Sequence, residues 1–426
     1  MKKIGLALAL AGVLMASGFN ISEHGTRATA MGSAFVARAG DPSAVFYNPA
    51  GLAFLGKTWI YIGGTLIAPH GDFEGDNPFP GEGVKESLEA QYFPVPNLYF
   101  VRPLSPRLTF GFGVYSPFGL GTRWQNEEKF TGRYISTDSY TKMITLNPVL
   151  AYRISPKLAL AVGLQYSFSK LHVKRYIPLY SPFTYRVEDV GTVTMDANWK
   201  GSLSFNLGII FKPMEKLSLG FTYRNKQVVD YTGKAIFSQI PTGNVIFDAL
   251  VHRALPFDQD VDVAASLTYP SSAVLGIAFF PTSRLSLEVD LEYGFWSQYK
   301  SMPISFPQHP ELTPAEEETR EYFHDTLAVR LGLEYEMKEG LYLRAGYVYD
   351  GAAADPESVT PILPDTTRHL VSVGLGKDLN ENLYVDLSAM YLIGEPRSTE
   401  GKSKYGYEGT YRVSSFLFGV NFGYKF

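Results

Sequence analysis

Phe416-Leu417-Phe418-Gly419-Val420-Asn421-Phe422-Gly423-Tyr424-Lys425-Phe426 sets an aromatic or β-branched side chain at every even position. The odd positions hold Leu417, Gly419, Asn421, Gly423 and Lys425. Strand side chains point alternately to opposite faces, so one face here is oily and the other mostly small or polar. An unprotected aromatic strand aggregates in water. This one suits a strand with lipid outside and both edges paired, as in an outer-membrane β-barrel. The terminal aromatic, Phe426, is the expected contact for the barrel assembly machinery.

The same alternation recurs upstream. Leu158, Leu160, Val162, Leu164, Tyr166 and Phe168 alternate with small or polar residues, as do Leu285, Leu287, Val289, Leu291, Tyr293 and Phe295. Soluble strands usually stop at about 5–6 residues, whereas a tilted strand crossing a bilayer needs about 9–11. Such runs predict fourteen strands, near 57–68, 95–103, 107–116, 141–153, 157–173, 200–212, 216–231, 262–280, 284–296, 324–338, 339–350, 367–377, 381–393 and 412–426. An even count closes an antiparallel barrel. Connections alternate between short ones, such as Leu104-Ser105-Pro106 and Pro281-Thr282-Ser283, and long ones, such as 174–199 and 232–261. Short periplasmic turns and long outer loops follow that asymmetry, so both termini are expected in the periplasm.

Composition agrees with this architecture. The chain has 426 residues with 28 Tyr and 29 Phe, yet its mean hydropathy is only −0.04. A polar lumen face dilutes the hydrophobic signal of a transmembrane barrel in this way. A net charge of −4 gives no nucleic-acid surface, and the lack of cysteine excludes disulfides and thiolate metal sites. No cofactor or metal is expected.

Lys2 and Lys3 followed by the apolar run Ile4 to Met15 read as a secretory signal. Cleavage falls after Ala16 or after Gly18. Residues 17–56 lack strand alternation and are rich in Gly, Ala and polar residues. About forty residues ahead of the first strand suit either a plug inside the barrel, which is wide enough to hold one, or a periplasmic extension. The expected division is a signal at 1–16, a hatch at 17–56 and a barrel at 57–426.

Ser17-Gly18-Phe19-Asn20-Ile21-Ser22-Glu23 and Asn48-Pro49-Ala50 are joined by Ser116-Pro117-Phe118-Gly119-Leu120, Leu219-Gly220-Phe221-Thr222-Tyr223-Arg224, Trp296-Ser297-Gln298 and Pro364-Asp365. In this order and spacing the chain resembles the FadL family of outer-membrane transporters for long-chain fatty acids and other hydrophobic compounds. The resemblance implies a fourteen-stranded barrel plugged by the hatch, capture between long loops, and sideways exit beside an inward kink in the third strand. The kink maps to Ser116, Pro117, Phe118 and Gly119. Proline removes a ladder donor and glycine a side chain, so pairing there should break; alternatively, Pro117 only starts a loop.

By resemblance, Asn48-Pro49-Ala50 lies where the hatch meets that kink, and Phe19 belongs to the N-terminal gate. Arg175 matches a basic residue that offsets burial of a ligand carboxylate. The second basic position holds Thr319, with Arg320 beside it. That departure keeps aromatic hydrocarbons open as ligands. Glu288, Asp290, Glu292, Arg330, Glu334, Arg344 and Asp386 fall on polar strand faces, where they are expected to pair into a network that stiffens the wall. No nucleophile–base pair or HExxH motif points to an enzyme. The reading is therefore a monomeric channel for passive uptake of hydrophobic molecules, foremost long-chain fatty acids, in contact with outer-membrane lipid and lipopolysaccharide. Alternatives are a monoaromatic-hydrocarbon channel of the same fold and a non-transport relative acting in protein secretion.

Overall fold

The computed structural model describes residues 20–426, so the expected signal segment and Phe19 lie outside the described residues. Fourteen antiparallel wall strands close a ring. They are β1 (Trp59–Gly75), β2 (Phe93–Pro103), β3 (Leu108–Tyr115 and Gly119–Arg123), β4 (Asp138–Ser155) and β5 (Leu158–Ser181). Next come β6 (Arg186–Ala197 and Lys200–Met214), β7 (Leu217–Arg224 and Gln227–Gln239), β8 (Asp260–Tyr269 and Ser272–Phe279) and β9 (Leu285–Gly294). The last five are β10 (Thr326–Lys338), β11 (Leu341–Asp350), β12 (Arg368–Asp378), β13 (Leu383–Gly394) and β14 (Gly409–Lys425). Each pairs with its chain neighbours, and β1 meets β14 from Trp59↔Lys425 to Gly75↔Gly409. Closure removes the edges that would otherwise recruit other chains.

The dyad pattern sorts inside from outside as physical chemistry requires. On β14, Phe416, Phe418, Val420, Phe422 and Tyr424 are exposed outward, while Leu417, Gly419, Asn421 and Gly423 are buried. On β5 the exposed residues are Leu160, Val162, Leu164, Tyr166 and Phe168.

The strands differ from expectation at their upper ends. Residues 174–199 are not a loop: β5 runs on to Ser181 and pairs with Arg186–Ala197 of β6. Residues 232–261 likewise include the rest of β7 and a helix, Val245–Ala254, capped by the Asn244 side chain. Above the lipid the outer face turns polar, with Lys170, His172 and Lys174 replacing aliphatic residues, while Leu171 and Val173 remain buried. A search for oily outer faces therefore stops too early, although backbone pairing continues.

Residues 20–55 are almost entirely buried, and their polar groups reach strands all round the ring. Thr26 donates its N–H and hydroxyl to Asn421 Oδ1 on β14, at 3.0 and 2.7 Å. Ser372 on β12 takes the Gly32 N–H and donates to Ala30 O, both at 3.0 Å. On β9, Asp290 Oδ2 accepts the N–H groups of Phe35 and Val36 at 2.8 and 3.1 Å, and Glu288 Oε1 accepts that of Ala37 at 2.6 Å. Ser218 on β7 donates to Ala37 O at 2.6 Å. The lumen charges thus satisfy the irregular backbone of this segment, whose buried N–H groups would each cost about 1–3 kcal/mol if left unpaired. This goes beyond the wall-stiffening role expected of them.

Packing here is backbone against backbone. A Cβ built on Gly346 of β11 would overlap the main chain of Met31 and Gly32. Gly346→Leu should therefore destabilise the protein by about 1–3 kcal/mol through overpacking, seen as an earlier heat-induced gel shift. An unchanged transition would show that the segment yields freely.

Candidate ligand cavity and wall window

Regular alternation fails on β3, where Pro117, Phe118 and Gly119 are buried in succession. Pairing with β4 runs to Tyr115↔Thr145 and resumes at Gly119↔Lys142. Three residues, Ser116 to Phe118, thus oppose two, a bulge that bends the strand inward. The N-terminal segment meets this bend: Asn20 bridges Phe118, and Ile21 N–H donates to Pro117 O at 3.0 Å. The Phe118 ring lies 4.7 Å from that of Tyr269 on β8. Leu120, just beyond, holds φ at 127°, a conformation a branched side chain adopts only when its surroundings impose it.

The other neighbour of β3 is β2, and their ladder stops at Leu98↔Val114. Phe93 to Asn97 pair with β1 alone. The wall closes again higher up, where Glu89 N–H donates to Arg123 O at 2.8 Å and Gln125 N–H to Ser87 O at 3.1 Å. Between these points β2 and β3 form no ladder among the described residues, which leaves a window in the hydrogen-bonded wall. Pro94 and Pro96 of β2 contribute to it, because neither has an N–H to donate to a neighbouring strand. The register break falls at Ser116 to Phe118, within the segment where a kink was expected, whereas no role was expected of Pro94 and Pro96, although their Pro-x-Pro spacing is visible in the sequence.

Beside the window lies a cavity of about 140 Å³. Its apolar lining includes Ile21, Ile67, Leu88, Leu120, Leu370 and Leu417. Its polar lining carries Glu23, Asp350 and Asp365 against Arg330 and Arg368. Arg330 is held by Glu292 at 2.7 Å and Ser22 Oγ at 3.1 Å, and Arg368 pairs with Asp350. Asp365 accepts the N–H groups of Ala353 and Ala354 at 2.7 and 2.8 Å. No excess of positive charge faces the cavity.

The residues singled out from sequence are dispersed. Asn48-Pro49-Ala50 does not meet the kink: the Asn48 amide donates to Val36 O at 2.8 Å and to Ile209 O of β6 at 3.0 Å. Asn48 Oδ1 also accepts the Ala50 N–H at 3.2 Å, capping a 3-10 turn over Pro49–Phe54. Its side chain fills the space above Gly208, so the motif fits β6, while Asn20 and Ile21 take the kink. Arg175 stands above the lipid band, buried, and donates to Tyr134 O at 3.3 Å. Burial lowers its pKa to about 10, so it stays charged at neutral pH. Arg320 is exposed and lies over the Tyr322 ring. Neither lines the cavity; the guanidiniums that do, Arg330 and Arg368, were not expected there.

A family model described as "Outer membrane protein transport protein (OMPP1/FadL/TodX)" matches residues 7–426. The chain is 26% identical to a long-chain fatty acid transport protein of Escherichia coli O6:H1, over all of this chain and 98% of that one. It is 24% identical to outer membrane protein P1 of Haemophilus influenzae, over the full length of both. Among solved structures, a Pseudomonas aeruginosa FadL homologue superposes with a TM-score of 0.81 at 19% identity, covering 96% of this chain and 99% of that one. The Pseudomonas putida toluene transporter TodX gives 0.69 at 17% identity, covering 95% and 98%. With a closed fourteen-stranded ring and a family match along nearly its whole length, the chain belongs to the FadL/TodX family, outer-membrane β-barrel channels of Gram-negative bacteria that transport hydrophobic compounds and are not enzymes.

Proposed function

We propose that this channel takes up long-chain fatty acids by passive diffusion and releases them sideways through the wall. Residues up to 56, following signal cleavage, act as a hatch that blocks the lumen. Ligand is captured among the long loops, enters the cavity beside Ile21 and leaves through the window between β2 and β3 into outer-membrane lipid. The observation that carries this reading is the junction of Asn20 and Ile21 with Pro117 and Phe118 at the edge of both cavity and window. An apolar solute gains about 25 cal/mol for each Å² it keeps from water, so a lateral route into lipid is downhill where a watery pore is not. Phe19 and the residues after it form the gate, since moving Asn20 and Ile21 uncovers the kink. The channel works as a monomer, surrounded by lipid and lipopolysaccharide, with both termini periplasmic and Phe426 as its assembly signal.

The fatty-acid assignment is supported by the likeness to the Escherichia coli long-chain fatty acid transport protein and by the basic residues Arg175 and Arg320. Arg175→Ala should cut oleate uptake severalfold while sparing toluene, in cells lacking their own hydrophobic-compound channels. Equal losses for both would remove Arg175 as the carboxylate partner.

A second reading, monoaromatic hydrocarbon uptake, is favoured by the cavity itself. A dry protein cavity of about 150 Å³ takes one benzene, and the balanced charges here ask for no anion. Saturable toluene uptake without oleate uptake would decide for this reading.

A further inference from the structure

The short-turn end of the lumen holds a second cavity, of about 80 Å³, outside the path described above. It lies among the ends of β1, β11, β12, β13 and β14, beneath Arg27 of the N-terminal segment. Four cations border it, Arg27, Arg344, Lys377 and Lys425, against two carboxylates, Asp378 and Asp386. Asp386 is already committed, accepting from Arg344 at 2.6 Å and from the Tyr61 hydroxyl at 2.9 Å. The Lys425 ammonium lies over the rings of Trp59 and Tyr384, 4.6 and 5.0 Å from their centroids, contacts that leave N–H donors for a ligand.

Two further donors on the same walls point to an acceptor. The Tyr384 hydroxyl and the Trp59 indole N–H are closed off from solvent and have no hydrogen-bond partner among the described residues. Tyr384 is only 8% exposed. Buried polar groups in native proteins are nearly always satisfied, so such groups call for an occupant. Water fits, since each molecule needs only about 10–15 Å³ by this measure. With Glu334 and Asp386 set against Arg27 and Arg344, however, the two ammonium groups of Lys377 and Lys425 still face Asp378 alone, and water does not answer that remaining positive charge. A compact anion with several acceptor oxygens answers both.

We propose that this cavity binds a phosphate-type oxyanion, either the free ion or the head group of a phospholipid. Guanidinium, ammonium and phenol donors are the groups that recognise such oxygens. The occupant touches Arg27 and Arg344, which also hold Glu334, and so ties the N-terminal segment to the wall from below.

Equilibrium dialysis of the purified full chain in detergent tests this, with radiolabelled inorganic phosphate in one arm and dihexanoyl phosphatidic acid in the other. The expected result is saturable binding at one site in at least one arm, weakened tenfold or more in both Lys377→Gln and Tyr384→Phe. Tighter binding in the lipid arm assigns the head group, and tighter binding in the other assigns the free ion. Both variants should keep wild-type oleate or toluene uptake, whichever substrate the channel carries. No saturable binding in either arm, or binding that neither variant weakens, overturns the site.

Discussion

Glu334→Ala is expected to free the N-terminal segment from the barrel. Glu334 on β10 is bidentate to Arg27, both contacts at 2.9 Å, and also holds Arg38 and, at 2.7 Å, Arg344. Its carboxylate is 5% exposed and anchors two arginines of the segment together with one of the wall. Breaking a buried pair by removing one partner typically costs about 3–5 kcal/mol, because the other charge stays behind uncompensated. Here Arg27 and Arg38 lose their only carboxylate partner among the ion pairs of the described residues, whereas Arg344 keeps Asp386 at 2.6 Å. Trypsin cleaves after arginine, so Arg27 and Arg38 serve as reporters: both should become cut sites in folded Glu334→Ala and stay protected in the parent. Glu334→Gln should fall between the two, since an amide oxygen still accepts but carries no charge. Equal protection in all three proteins would show that the segment is held by backbone packing alone.

Gly119→Arg is expected to stop transport while leaving the barrel folded. A Cβ built on Gly119 meets Ile21 Cδ1 at 3.6 Å and Thr141 O at 3.7 Å, ordinary contacts that cost little. Gly119→Ala should therefore transport like the parent. The long charged arginine side chain starts toward Ile21, which lines the cavity, where it would obstruct an apolar solute and make the passage costly to dry out. Uptake should fall at least tenfold in Gly119→Arg, with normal heat-modifiability on gels. Parent-level uptake by a folded Gly119→Arg barrel would rule out exit at this place.

The two substitutions probe parts of the molecule that differ in how far they could be read in advance. The lumen carboxylates were legible as inward-facing, because Glu288, Asp290 and Glu292 occupy the polar phase of a strand whose other phase is Leu287, Val289 and Leu291. Their partners were not legible, since Glu334 and Arg27 are 307 residues apart and meet only through the stagger of the ring. Pro117 and Gly119 marked the segment where the ladder breaks, but not the N-terminal residues seated against it: Asn20 and Ile21 lie there, whereas the Asn48 amide bonds to Ile209 of β6. A short motif records its own turn geometry and says nothing of the wall it faces. The cavity arginines, Arg330 and Arg368, were likewise hidden, as each reads locally as one more lumen cation.

Sequence alone determined which side of each strand meets lipid, how many strands there are and that the ring closes. Those properties depend on a two-residue period written into every segment, and a slip of one residue would turn the oily face inward. Only the tertiary structure decided where the ladder between β2 and β3 opens, how far the long hairpins extend beyond the lipid, and which charges share a cavity. Those outcomes depend on register between strands distant in sequence and on a packed interior, where a shift of one residue pair exchanges every neighbour.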